Sequence, residues 1–248
     1  MTSIKLNFLE GTSNLRELDL SINEIRYLDA ETFSHVENLR VLSLKSNRLG
    51  NINRSWFSGL RHLVVLELDR NNIKHLTNDS FHHLHSLRYL DLSNNFLTHL
   101  SPETFAPLNQ LHALLLASNN LTSLAEHTFS GIHKITKIDL RNNSLKFIDS
   151  EQFSSMLMLK ALFLNGNNFP CACEVHEELW RLTALMGVEC LDEEGLRKEL
   201  LDIECSTSIG LIGPAEVVLL LTPIQVQNSS HLLKPNETSF QCINSFRK

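Results

Sequence analysis

The first 170 residues of this 248-residue chain contain no cysteine; all five cysteines lie from Cys171 onward. A redox or metal role is therefore confined to one segment. The chain also has no apolar run long enough to cross a bilayer. The longest lies around Leu211 to Leu221, whereas a spanning helix needs about 20 residues. Met1 to Asn7 lacks the apolar stretch and small-residue cleavage site of a secretory leader. Two expectations follow: a cytosolic protein, or a piece of a longer chain whose membrane attachment lies in segments outside it. There is no basic surplus, with 22 Lys and Arg against 28 Asp and Glu and a net charge of −6. That balance argues against a nucleic-acid partner.

Chemistry is scarce as well. No G-x-S-x-G, H-E-x-x-H, G-x-G-x-x-G or Walker-type loop occurs, and no nucleophile has a base in recognisable context. His82, His83 and His85 form the densest group among 12 histidines and read as surface residues, so neither a metal nor a cofactor is expected. Glu193 and Glu194 read as a solvated face. Hydrophobic residues at 42 % and charged residues at 20 % are ordinary for a folded soluble protein and exclude a disordered or collagenous one.

What is present is a repeat. Asparagine recurs every 24 residues at Asn23, Asn47, Asn71, Asn95, Asn119, Asn143 and Asn167. Phenylalanine keeps the same step at Phe33, Phe57, Phe81, Phe105, Phe129 and Phe153. Each unit opens on an apolar residue, from Leu15 through Leu39, Leu63, Leu87, Leu111 and Ile135 to Leu159, with leucine pairs such as Leu42 and Leu44 in phase. Seven copies of L-x-x-L-x-L-x-x-N-x-L-x-x-L follow without insertion. The period-two core predicts a short strand with its leucines on one side. One such strand cannot bury them alone, so the units must stack into a parallel sheet over a continuous core. The asparagine amide is placed to bond its own unit and the next, and the phenylalanine to fill the space behind the sheet.

This pattern resembles the extracellular 24-residue leucine-rich repeat over roughly residues 4 to 169. The resemblance implies an α/β solenoid, a horseshoe with a parallel concave β-sheet, across residues 1–167. Ile4 aligns with Leu28 and Leu9 with Phe33, so the chain starts in mid-repeat. The first full strand is expected to expose its leucines, with earlier repeats upstream.

Four cysteines, Cys171, Cys173, Cys190 and Cys205, allow three pairings. They also supply four thiolates, although zinc sites usually space both pairs as C-x2-4-C. The segment 168–206 resembles the C-terminal flanking cap of extracellular leucine-rich-repeat proteins, with the proline displaced to Pro170. That resemblance implies a disulfide-stapled cap with bonds Cys171–Cys190 and Cys173–Cys205, an oxidising compartment, and a last repeat covered by Trp180 and Leu182. Cys242 is left over in a tail, 207–248, read as the start of an immunoglobulin-like domain or as an irregular segment with a free thiol. Sequons for N-glycosylation stand at Asn53, Asn78, Asn120, Asn142, Asn228 and Asn236, against roughly three or four by chance. Asn53 and Asn78 fall on the outer flank and Asn142 at the edge of the strand face.

Function is then expected on the residues between the leucines, which face outward from the concave side. Seven strands at about 4.8 Å span about 30 Å, room for one protein partner. Candidate binding residues are Val41, Val65 and Tyr89 as a stripe, Glu67, Asp69 and Asp91 as an acidic stretch, and Leu115 and Phe163 as exposed apolar residues flanking Lys137 and Arg141. The expected role is a protein-binding module, for recognition or adhesion, of a secreted or cell-surface protein and not an enzyme. Families sharing repeat and cap include Toll-like receptors, Slit-type guidance proteins, lamprey-type variable lymphocyte receptors and leucine-rich-repeat immunoglobulin-domain receptors. The rivals are an innate immune receptor ectodomain, the targeting part of a longer matrix enzyme, and an intracellular scaffold with free thiols.

Overall fold

The computed structural model describes residues 3–4, 9–172, 189–192 and 194–199. Its central feature is a seven-stranded parallel sheet built from β2 (Glu17–Asp19), β4 (Val41–Ser43), β5 (Val65–Glu67), β6 (Tyr89–Asp91), β7 (Ala113–Leu115), β8 (Lys137–Asp139) and β9 (Ala161–Phe163), neighbours in chain order. Every pairing is offset by one whole repeat: Val41 faces Val65, Val65 faces Tyr89, Tyr89 faces Ala113. Each strand has only three residues, and its middle leucine or isoleucine points inward. From Leu42 to Ile138 these middle residues have no exposed surface. The half-buried flanking residues make the opposite face. The first strand is looser. Leu15 and Leu18 are only partly buried against the core, but Leu20 is buried, so the first strand's leucines are more open than those of later strands without being exposed as the sequence predicts.

Ahead of it, β1 (Ser3–Ile4) pairs in parallel with β3 (Tyr27–Leu28), Ile4 lying opposite Leu28, and Leu9 is buried. Both match the alignment made on the sequence.

The asparagine column joins the turns. Asn95 Nδ2 donates to Leu92 O of its own turn at 3.0 Å and to Leu68 O of the turn before at 3.0 Å, while Oδ1 accepts from Ile73 N at 3.0 Å. Asn47, Asn71, Asn119 and Asn143 repeat the pattern. The second partner is thus the preceding unit, where the sequence reading had the next one. The chain turns back at each asparagine, which directs its amide toward the turn already laid down.

Behind the sheet, Phe81, Phe105 and Phe129 stack with ring centroids 6.2 and 6.3 Å apart. The return path is made mostly of turns. Its helical part includes two 3-10 helices, Arg54–Phe57 and Ser150–Phe153. Gly131 (φ +88) lies so close to the preceding turn that a Cβ would sit 2.7 Å from Ala106 O.

At the far end, Cys171 and Cys190 are joined, with Cα atoms 5.0 Å apart, one of the two bonds that the cap resemblance implies. Cys190 lies on β10 (Glu189–Leu191), paired antiparallel with β11 (Arg197–Glu199). Leu191 N donates to Phe169 O at 2.7 Å and Cys171 N to Leu191 O at 2.9 Å, so the sulfur bridge and two backbone bonds close the core over buried Phe169 and Cys190. Cys173, Trp180, Leu182, Cys205, Cys242, Asn228 and Asn236 lie outside the described residues.

Replacing Asn95 by Ala leaves the Ile73 amide without its partner in a dry core and takes one of two donors from each of the Leu68 and Leu92 carbonyls, which keep Asn71 and Asn119. A loss of about 1–3 kcal/mol is expected, measurable by denaturant unfolding. A second expectation concerns strain. The residue one place before six of the ladder asparagines has φ near +55, at Ile22, Ser46, Arg70, Asn94, Ser118 and Asn142. Ile22 alone among them is β-branched, and it is 81 % exposed, so the strain is not offset by packing. Ile22→Asn should raise stability by about 1 kcal/mol, or a melting-temperature gain of about 2–4 °C.

Candidate functional site

The sheet register sets the candidate residues in rows. Val41, Val65 and Tyr89 are direct neighbours on successive strands, as are Glu67 and Asp91. The acidic stretch is therefore real in space. Asp69 is buried, and Lys45 Nζ lies 3.3 Å from its carboxylate. Burial, reinforced by Asp91 and Glu67, holds the Asp69 carboxyl above its ordinary value despite Lys45. Tyr89 donates its hydroxyl to Asp91 Oδ2 at 3.4 Å. Burial and then the Asp91 charge push the phenol up to about 12, so Tyr89 stays a neutral donor. One edge of this region is a shallow depression lined by Glu17, Leu18, Asp19, Ser21, Val41, Ser43, Lys45 and Glu67. Glu17, Asp19 and Lys45 were not among the sequence candidates. The column pattern placed them on this face, but their clustering depends on the first two strands lying side by side.

The other half of the face differs from the sequence expectation. Leu115 and Phe163 are half-buried, not exposed. Lys137 Nζ lies 5.4 Å and Arg141 Cζ 5.0 Å from the Phe163 ring centroid, so two cations cover it. Arg141 is also engaged by Asp139, through Nε at 2.9 Å and Nη2 at 2.6 Å, and this bonding holds its pKa up. The reason is the one-repeat offset, which puts Asp139 opposite Phe163 with Lys137 and Arg141 to either side. This half holds one ion pair and a further cation, Lys137, against Phe163, and the excess negative charge sits on the strands before it.

On the outer flank the three histidines do cluster, His82 lying 5.2 Å from His83 and 6.1 Å from His85 between ring centroids. No group of three or more His, Cys, Asp or Glu able to hold a metal occurs among the described residues. Burial, then His82, Arg54, His85 and Arg61, holds His83 below its ordinary 6.5; the nearby carboxylate of Asp79 is bonded to Arg54 at 3.4 Å. Of the sequon asparagines, Asn78, Asn120 and Asn142 are exposed. Asn53 is exposed too, but its Oδ1 accepts from Ser55 N at 2.9 Å and Ser55 Oγ at 2.8 Å.

The leucine rich repeat family matches residues 2–49, 13–73, 37–95, 61–121 and 109–169. The chain belongs to the leucine-rich-repeat family. No curated protein matches it. Among solved structures, this leucine-rich-repeat chain is similar to one in the crystal structure of a TLR13–ssRNA13 complex, at 33 % identity and TM-score 0.67. The match covers 68 % of this chain and 24 % of that one, so the chain spans about a quarter of that neighbour's length. Both findings agree with a binding scaffold built on repeats.

Because the folded state holds His83 below its unfolded value, His83 contributes stability that is complete above pH 6.5 and lost as pH falls through the lowered folded value. Denaturant midpoints at pH 7.5 and pH 5 should therefore differ less in His83→Gln than in the parent protein.

Proposed function

We propose that this leucine-rich-repeat chain is the protein-binding part of a secreted or cell-surface protein, acting in recognition or adhesion through its concave sheet face and not as an enzyme. The observation that carries the reading is the asymmetry of that face. On its earlier strands Glu17, Asp19, Glu67, Asp69 and Asp91 surround the Val41–Val65–Tyr89 stripe, with Lys45 as the cation paired to them. A half-buried tyrosine amid charges on a rigid sheet is a good anchor for a partner with basic and apolar groups. The later strands, already ion-paired through Asp139 and Arg141, serve as a rim.

The Cys171–Cys190 bond supports an oxidising compartment. In this reading residues 1–167 bind, 168–206 cap the core with Cys173–Cys205 as its second bond, and 207–248 lead into a further domain. Exposed Asn53, Asn78, Asn120 and Asn142 suit a glycoprotein. The similarity to TLR13 favours a second reading, an innate immune receptor ectodomain. In TLR13 the partner in the crystal is ssRNA13. Here the acidic strands and the net charge of −6 favour a protein partner.

The test is binding to a panel of extracellular receptor domains displayed on cells. Tyr89→Ala and Glu67→Lys should each weaken binding at least about tenfold, with the melting transition retained, while Lys74→Ala on the flank leaves it unchanged. Unaltered affinity in both concave variants would move the site to the convex side or an edge.

A further inference from the structure

Phe96 is 51 % exposed although both its neighbours in sequence, Asn95 and Leu97, are buried. It sits between the ladder asparagine and the next core leucine, the place taken by Glu24, Arg48 and Asn72 on earlier turns and by Asn120 on the next. Side chains at this place reach their counterparts one turn away, for Arg48 Nη2 lies 2.7 Å from Glu24 Oε1. The backbone spacing is uniform there. Phe96 N donates to Ile73 O at 2.9 Å and Asn120 N to Leu97 O at 2.8 Å, so Phe96 and Asn120 stand side by side at about 4.8 Å, the strand spacing.

Asn120 opens the sequon Asn120-Leu121-Thr122. Leu121 is anchored in the core, while Asn120 and Thr122 are exposed. The strand spacing that separates the Phe96 and Asn120 backbones, about 4.8 Å, is close to the thickness of a sugar ring. An aromatic face carries partial negative charge and attracts the polarised C–H groups on one side of a pyranose. The pairing of an exposed phenylalanine with a sequon asparagine occurs at this place on no other pair of described turns.

We propose that Asn120 carries an N-linked glycan whose first sugar packs on the Phe96 ring, so that Phe96 is a glycan platform. Attachment forms a bond from Asn120 Nδ2 to C1 of the first N-acetylglucosamine. The C1–O bond to a lipid-diphosphate oligosaccharide donor breaks, the diphosphate leaves with the bonding pair, and one amide proton passes to base. The proposal rests on the secretory reading above.

The full chain, made behind an added secretion leader in mammalian cells, tests it by glycopeptide mass spectrometry and thermal melting. Asn120 should be occupied. Thr122→Ala, which removes the sequon and keeps Asn120, should lower the melting temperature by about 2–4 °C. In a Phe96→Ser background the same change should have no effect, and Phe96→Tyr should preserve the shift. Trimming the glycan to its first sugar should leave the transition unmoved. An unmodified Asn120 beside occupied Asn53 or Asn78 overturns the proposal and leaves the secretory reading standing. No glycan at any sequon, together with free thiols at Cys171 and Cys190, overturns both. An occupied Asn120 whose Thr122→Ala shift is the same in the parent protein and in the Phe96→Ser background overturns the platform.

Discussion

Each ladder asparagine satisfies three backbone groups at once, and the rest of the solenoid depends on that. Strands of three residues provide too few backbone bonds to hold a sheet by themselves, and the chain leaves each strand through a turn whose carbonyls and amide are buried. Asn71, Asn95, Asn119 and Asn143 bind their own turn and the preceding one in the same geometry. The turns are thereby locked in a common register, and only then can leucines from successive strands meet in one core and phenylalanines stack behind them. The arrangement is additive along one axis. Each turn needs a neighbour on both sides, and at the far end the disulfide and β10 supply the last one.

A register locked in this way also fixes the outward face. Because equivalent residues lie opposite one another, charges of one sign at one repeat position accumulate unless alternated. Glu67 and Asp91 are neighbours on adjacent strands, and with Asp69 they press on one another, as the raised Asp69 carboxyl records. Two strands later the same mechanism gives the opposite result, because Asp139 pairs with Arg141 and both Arg141 and Lys137 lie over the Phe163 ring. The partner-facing character of the scaffold therefore comes from local choices at equivalent backbone positions.

Much of this was legible from the repeat. The period of 24 residues assigned every core leucine, every ladder asparagine and the pairing of Ile4 with Leu28, because a repeated unit translates sequence offset directly into spatial adjacency. The candidate site was legible as columns. Its energetics were not: Leu115 and Phe163 read as exposed because apolar residues at outward positions carry no mark of what covers them. The cations over Phe163 come from the neighbouring strand and from the turn that follows that strand, which only rotamers and packing decide. The depression at Glu17, Asp19 and Lys45 was missed for the same reason.

The sequence by itself determined the solenoid, its register, the inward and outward residues, and the place of the closing cysteines. A periodic pattern is a strong constraint when each unit can bury its core only against a copy of itself. Tertiary structure alone decided which outward charges pair, which apolar residues are covered, and the direction of the asparagine bonds toward the preceding turn. Those outcomes depend on side chains from different turns competing for the same space, and no single stretch of chain contains that information.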